Sequence, residues 1–232
     1  VHAEEDYWVA GLEWADSLGA DIVNSSVGYN DFADGTSYSY SDLDGETAIT
    51  TIAADIAVDK GMTVVVSAGN EADNAWYYVV TPADGKRVIA VGSVRLNDDL
   101  TTSVSAFSSR GPTFDGRVKP DFMALGENVA VVNTAGSSYT FKNGTSYSAP
   151  AVSGAAALLM QIHADWSPAV LYDSLKVTAK PAGPDSLAGY GIIDAFAASG
   201  LANGGVVVEG FTVYDPYPQP AVFGGKTAAR VY

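Results

Sequence analysis

Apolar residues recur at helical spacing from Tyr7 to Leu18, with Val9, Leu12 and Ala15 on one stripe, and Gly19 ends the run. Residues 21–28 then read as a short buried strand, and residues 29–45, rich in Asp, Ser, Tyr and Gly, as a long loop. A second helix is predicted from Thr47 to Lys60, closed by Gly61. Met62 to Gly69 is a continuous apolar run, the pattern of a strand covered on both faces. Residues 87–92 and 128–132 are further strand-like runs. A long helix is expected over 146–163, and another over 167–177 with Ser167 as its cap and Pro168 in its first turn. Helices alternating with apolar strands predict an α/β fold with a mostly parallel central sheet. After Gly200 the pattern changes: residues 206–213 are strand-like and Tyr214–Pro220 is a proline-rich linker. A boundary near residue 203 therefore separates a main domain, 1–203, from a linker and the start of a further module, 204–232.

Composition sharpens this picture at three points. Hydrophobic residues make up 47% of the 232, enough for a packed core. The formal net charge of -15 argues against nucleic acid and anionic membranes as partners, and no run of eighteen apolar residues spans a bilayer. Without cysteine, disulfides and thiolate metal sites are excluded. The chain opens on Val1-His-Ala-Glu-Glu-Asp6, polar and acidic and unlike a signal peptide, so residues upstream are expected to have been removed or left out.

The chemistry concentrates in Asn143-Gly-Thr-Ser-Tyr-Ser-Ala-Pro150, which runs directly into the apolar, small-residue segment Ala151–Met160. Ser146 is thereby set at a helix N-terminus, beside free backbone N–H groups and the positive end of the dipole. Asn70 follows the apolar run Val64–Gly69, at the carboxyl end of a buried strand. Taken singly, the serine could be a helix cap and the asparagine a turn residue. Ligands bind at the carboxyl ends of strands in open α/β sheets, which favours a site.

In order along residues 7–200, these segments resemble the subtilisin-like serine proteases (subtilases, peptidase family S8). Ala106–Pro112, Asp115–Asp121 and Ala124–Gly126 look like the family's run between its asparagine and its nucleophile. The resemblance implies a subtilisin-like three-layer α/β fold with a mostly parallel sheet, and a secreted, extracellular serine endopeptidase acting on polypeptides. It gives Ser146 the role of nucleophile, and Asn70 that of oxyanion donor beside the Ser146 backbone N–H. Ser26, Val27 and Gly28 would hold the substrate backbone and form one pocket wall. Ser67, Ala68 and Gly69 would form the opposite wall, with Thr145 adjoining and Thr81-Pro-Ala83 as the base, its Thr81–Pro82 bond cis. No cofactor is required. Structural calcium is compatible with the family, but Asp31, Asp34, Asp42 and Asp44 match no compact calcium loop and read as a solvated acidic face.

A serine protease of this kind also needs a histidine base and a carboxylate that orients it. The chain has two histidines. His2 lies outside any His-Gly-Thr context, and His163 is a whole helix away from Ser146, roughly 25 Å at helical rise. In subtilases the Asp and His motifs precede the segment with which this chain begins. The expectation is a C-terminal portion of a catalytic domain, inactive alone, with strand 21–28 left as an open edge. Its partner would be the missing N-terminal segment carrying Asp and His. An esterase on the same scaffold and a non-catalytic peptide-binding domain are the alternatives. Residues 204–232 resemble the start of a β-module appended to secreted bacterial enzymes.

Overall fold

Every residue of strand β2 (Thr63–Ser67) is buried, because the sheet around it is covered on both faces. The computed structural model describes residues 2–134, 136, 138–180, 184–201, 212–213 and 221–222. Val64 and Val66 join a core with Leu12 of α1 (His2–Ser17) and with Ala54 and Ala57 of α2 (Ile49–Asp59). Val65 joins the opposite core with Val152, Ala156 and Leu159 of α3 (Thr145–Ile162). The period-two alternation of a strand thus divides one valine run between two helical layers. The result is a three-layer α/β arrangement, as the resemblance implies.

Strands β1 (Ile22–Ser25), β2, β3 (Ile89–Leu96) and β5 (Phe122–Leu125) run parallel in that spatial order. Strand β4 (Thr102–Val104) pairs antiparallel with the far end of β3. Among the described residues β1 lies at the sheet edge, with β2 as its strand partner. The segment at 128–132 is a strand, β6 (Val129–Val132), but it stands outside the parallel sheet and forms a hairpin with β7 (Tyr139–Lys142). Helix α4 (Pro168–Thr178) starts as expected, with the Ser167 hydroxyl accepting from Val170 N–H at 3.4 Å, and a short α5 (Ala195–Ala198) follows. Helix α1 begins at His2, five residues before the apolar stripe, with Glu4 and Glu5 in its first turn where the helix dipole favours negative charge. The expected strand at 206–213 and linker at 214–220 lie outside the described residues, except that Thr212–Val213 pairs antiparallel with Ala221–Val222.

The long acidic loop is held by local acceptors. Asp34 accepts from Thr36 N–H at 3.1 Å and from the Thr36 hydroxyl, and these bonds keep its carboxyl below the ordinary range. Asp42 accepts from Ser39 N–H at 2.7 Å, and Asp44 from the backbone of Glu46 and Thr47. Among the described residues no three His, Asp or Glu groups come together in a way that could hold a metal. The loop's far end is fixed by buried Asp84, which accepts from the Thr51 hydroxyl at 2.6 Å and from Gly45 N–H at 3.0 Å. Burial pushes the Asp84 carboxyl up, against the pull of those two bonds. Thr81–Pro82 is cis, as are Gly111–Pro112 and Lys119–Pro120.

The joint between the sheet and α3 is tight. Gly126 N–H donates to the Val94 carbonyl at 3.1 Å, and the Gly126 carbonyl accepts from Gly144 N–H at 2.8 Å. A Cβ on Gly126 would lie 2.1 Å from Ser148 Oγ, 2.6 Å from Ser93 Oγ and 2.7 Å from the Gly144 carbonyl oxygen. We predict that Gly126→Ala lowers folding stability by about 1–3 kcal/mol, the usual cost of overpacking. Chemical denaturation reads this as a lower midpoint; an unchanged midpoint would contradict the packing described.

Candidate active site

The first turn of α3 is capped from another element. Its cap position is Gly144, which has no side chain to offer and adopts φ 152°, a backbone conformation that suits glycine. The acceptor comes from the end of β2 instead: Asn70 Oδ1 accepts from Thr145 N–H at 2.8 Å and from the Thr145 hydroxyl at 3.1 Å. Thr145, fully buried, in turn accepts from Gly69 N–H at 3.2 Å. Because a backbone N–H can only donate, the Asn70 oxygen is identified without ambiguity, and its NH2 group is directed away from the helix end. Asn70 is exposed, and among the described residues nothing bonds that NH2 group. Tyr147 N–H donates to the Gly144 carbonyl at 3.0 Å. Ser146 N–H, at the second helical position, has no carbonyl one turn back in the helix to bond. Two free donors therefore stand on either side of the Thr145–Asn70 bond.

Ser146 is half-buried and locked to the 26–28 segment. The Ser26 hydroxyl donates to the Ser146 carbonyl at 3.2 Å, and the Ser146 hydroxyl reaches the Ser26 carbonyl at 3.5 Å. Pro150 explains the first of these contacts. Four residues after Ser146 it has no N–H, so the Ser146 carbonyl lacks its helical partner and is free to accept from Ser26. Val27 is exposed, and Gly28 is pressed so close to Val80 that a Cβ there would lie 2.2 Å from Val80 Cγ2. Ser67, Ala68 and Gly69 are buried at the end of β2, and the Ala68 carbonyl accepts from Val80 N–H at 3.0 Å. Tyr29 and Thr81 exchange backbone bonds of 2.9 and 3.2 Å. Thus 26–28, 67–70, 80–83 and 145–146 form one continuous assembly.

Sequence reasoning missed two members of it. Val80 packs against both Gly28 and Gly69, and Ser109 Oγ accepts from Glu71 N–H at 3.0 Å. Val80 sits in an apolar run indistinguishable from core, and Ser109 lies within the family-like segment 106–112, which gave it no individual role. Thr145, expected beside the pocket, is wholly engaged in joining Gly69 to Asn70.

Neither histidine reaches this assembly. His2 bonds Glu5 and the Thr36 hydroxyl, each at 3.1 Å, and packs against Phe32 at 4.1 Å between ring centroids. His163 ends α3, where its Nε2 lies 2.8 Å from the Ser199 carbonyl and its ring stacks on Trp166 at 4.0 Å.

Residues 4–191 match the model of the subtilase family. Subtilisin amylosacchariticus from Bacillus subtilis subsp. amylosacchariticus is 34% identical over 195 residues, covering 83% of this chain and 44% of the relative. Subtilisin from Bacillus pumilus is 33% identical over 195 residues, covering 83% of this chain and 62% of the relative. The chain thus spans about half the length of the curated relatives it matches. Among solved structures, MycP1 with its N-terminal propeptide removed superimposes with a TM-score of 0.66 at 27% identity, covering 86% of this chain and 67% of that one. Fervidolysin from Fervidobacterium pennivorans, a keratinolytic enzyme related to subtilisin, gives a TM-score of 0.65 at 29% identity, covering 85% and 29%. A serine-bearing helix capped by an asparagine from the neighbouring strand, on a three-layer α/β scaffold that relatives share along most of its length, makes this chain a member of the subtilase family.

Proposed function

We propose that this chain carries the nucleophile and the oxyanion-binding half of a secreted serine endopeptidase. The Ser146 hydroxyl attacks the scissile carbonyl of a polypeptide. The developing oxyanion is held by Ser146 N–H and the Asn70 NH2 group, the two donors left free by the capping arrangement. Ser26–Gly28 offers backbone to an extended substrate, and 67–69 faces it across Val80. The observation that carries this reading is the Asn70–Thr145 bond, which spends the amide oxygen on the helix and leaves the nitrogen for substrate.

The general base and its orienting carboxylate come from outside residues 1–232, since His2 and His163 are committed elsewhere. The open edge of β1 suggests where that partner segment sits. Helix α1 packs with α2 on one face of the sheet, and α2 links β1 to β2. A right-handed crossover through α1 sets any strand that precedes it on the free side of β1, beside Ser26 and hence beside Ser146. No cofactor enters this chemistry. An ester-cleaving reading uses the same atoms, and turnover of matched amide and ester substrates separates the two.

Two outcomes test this. Residues 1–232 alone should hydrolyse peptides at most at the residual level of a serine enzyme without its base. Adding an upstream subtilase segment that carries the Asp and His motifs should produce turnover that Ser146→Ala abolishes. Robust activity of the chain alone, lost on Ser146→Ala, would mean that a base lies within it. The second test separates the two jobs of Asn70. Asn70→Asp keeps the acceptor for Thr145 N–H, at a helix end that favours negative charge, but removes the donor. The thermal midpoint should hold, while turnover of the complemented enzyme should fall about 100- to 1,000-fold, the loss that removal of the corresponding donor causes in a subtilisin. Asn70→Leu should lose both stability and turnover. Full turnover in Asn70→Asp would remove the oxyanion role.

A further inference from the structure

Ser146 is tied to the β1 segment through more than Ser26. Side chains two apart on a strand share a face. Ile22 of β1 packs into the core that α3 covers and Val23 into the opposite one, so Asn24 and Ser26 follow Ile22 on the α3 side. There three side-chain bonds join end to end. The Ser153 hydroxyl donates to Asn24 Oδ1 at 2.9 Å, the Asn24 NH2 group donates to the Ser26 hydroxyl at 3.3 Å, and the Ser26 hydroxyl donates to the Ser146 carbonyl at 3.2 Å. Ser146 and Ser153 both belong to α3 and lie about two turns apart on one face. The bonds therefore form a clamp, with both ends on the helix and the middle on the strand segment.

The direction of the clamp follows from its last member. A carbonyl can only accept, so the Ser26 hydroxyl spends its one proton on Ser146. Ser26 Oγ is then an acceptor toward Asn24, which turns its NH2 group to Ser26 and its oxygen to Ser153. The Ser153 hydroxyl also lies 3.1 Å from the Ala149 carbonyl, one turn back in the helix. Pro150 makes the arrangement possible, because it leaves the Ser146 carbonyl without a helical donor. On the other side of Ser146, Thr145 N–H is held by Asn70. The Ser146 backbone is thus fixed from both directions, and with it the direction in which the hydroxyl is presented. Every one of these bonds is made inside this chain, so the clamp needs no face to be free.

We infer that Asn24 and Ser153 are positioning residues for Ser146, acting through the Ser26 hydroxyl on the Ser146 carbonyl. The inference rests on the protease reading above. It gives the Ser26 side chain a task separate from the substrate contacts of its backbone. Asn24 orients the Ser26 proton, Ser153 orients Asn24, and the result is a nucleophile held in line with the carbonyl it attacks. Small displacements of a reacting group slow the chemical step without weakening substrate binding, so the clamp acts on turnover.

Peptide turnover by the full chain, complemented with the upstream segment that carries the Asp and His motifs, tests it. Asn24→Leu keeps the size of the side chain and removes both of its polar ends. Its kcat should fall about tenfold or more while KM changes by less than about twofold, the mark of a misplaced nucleophile and an intact substrate site. Ser26→Ala should lose at least as much, and Ser26→Thr, which keeps the hydroxyl, should retain most of the kcat. Ser153→Ala, at the far end, should lose less than Asn24→Leu. In Asn24→Leu/Ser26→Ala the loss should equal that of Ser26→Ala alone, because Asn24 acts through Ser26. Asn24 is exposed, so the thermal midpoint of Asn24→Leu should hold. The carbonyl-carbon NMR signal of Ser146 in the isotope-labelled chain reads the bond without turnover, and should move upfield in Ser26→Ala and in Asn24→Leu. An unchanged kcat in Asn24→Leu, a KM rise that accounts for the whole loss, losses that add in the double variant, or an unmoved carbonyl signal overturns the inference. A wild-type complex without turnover, with the carbonyl signal moving as expected, removes the protease reading and keeps the clamp. Turnover that depends on Ser146 and is indifferent to Asn24→Leu keeps the protease reading and removes the positioning role.

Discussion

One hydrogen bond organises the site: Thr145 N–H to Asn70 Oδ1 at 2.8 Å. A helix N-terminus exposes N–H groups that need acceptors, and glycine at the cap position cannot supply one. The strand end supplies it from Asn70. That bond joins the α3 layer to the sheet, fixes which end of the Asn70 amide faces outward, and leaves Ser146 N–H uncapped. In the proposed chemistry, structural and chemical demands are met by opposite ends of a single amide. Replacing Asn70 therefore disturbs both at once unless the substitution keeps the acceptor.

A second constraint comes from Pro150. Inside a helix it removes a donor, and the carbonyl it orphans is that of Ser146. Ser26 fills the gap at 3.2 Å and so ties the Ser146 backbone to the strand segment proposed to hold substrate. Together with the close approaches at Gly28, Gly69 and Gly126, this explains why the residues around the site are small. Side chains there would separate the layers whose contact positions Ser146.

The layers were legible because their signals are strong. A five-residue buried strand such as β2 is dominated by its valine run, and the stripe on α1 has helical period. Ser146 and Asn70 stood out because a serine before a small-residue helix and an asparagine at a strand end are readable in combination. What stayed hidden depends on distant partners. Strands β4, β5 and β7, of three or four residues each, are too short for periodicity to declare. The segment at 128–132 reads as one more sheet strand because a hairpin of apolar face looks like a buried strand until its exposure is known. Thr145 reads as a pocket residue because its bonds to Gly69 and Asn70 run to residues some seventy-five positions away. Val80 stayed hidden because the space it fills is left by two glycines, Gly28 and Gly69, that lie on other segments of the chain.

In the proposed chemistry Asn70 and Ser146 act on one atom. The direct measurement is two-dimensional nitrogen–proton NMR of the isotope-labelled chain, complemented with an upstream segment that supplies the base, titrated with a peptidyl boronate, whose anionic tetrahedral adduct on Ser146 places a boronate oxygen where the oxyanion would form. The Ser146 backbone amide and the Asn70 side-chain amide should shift together and saturate along one binding curve. Movement of the Ser146 signal with the Asn70 amide unmoved, or movement of neither, would contradict the shared oxyanion site.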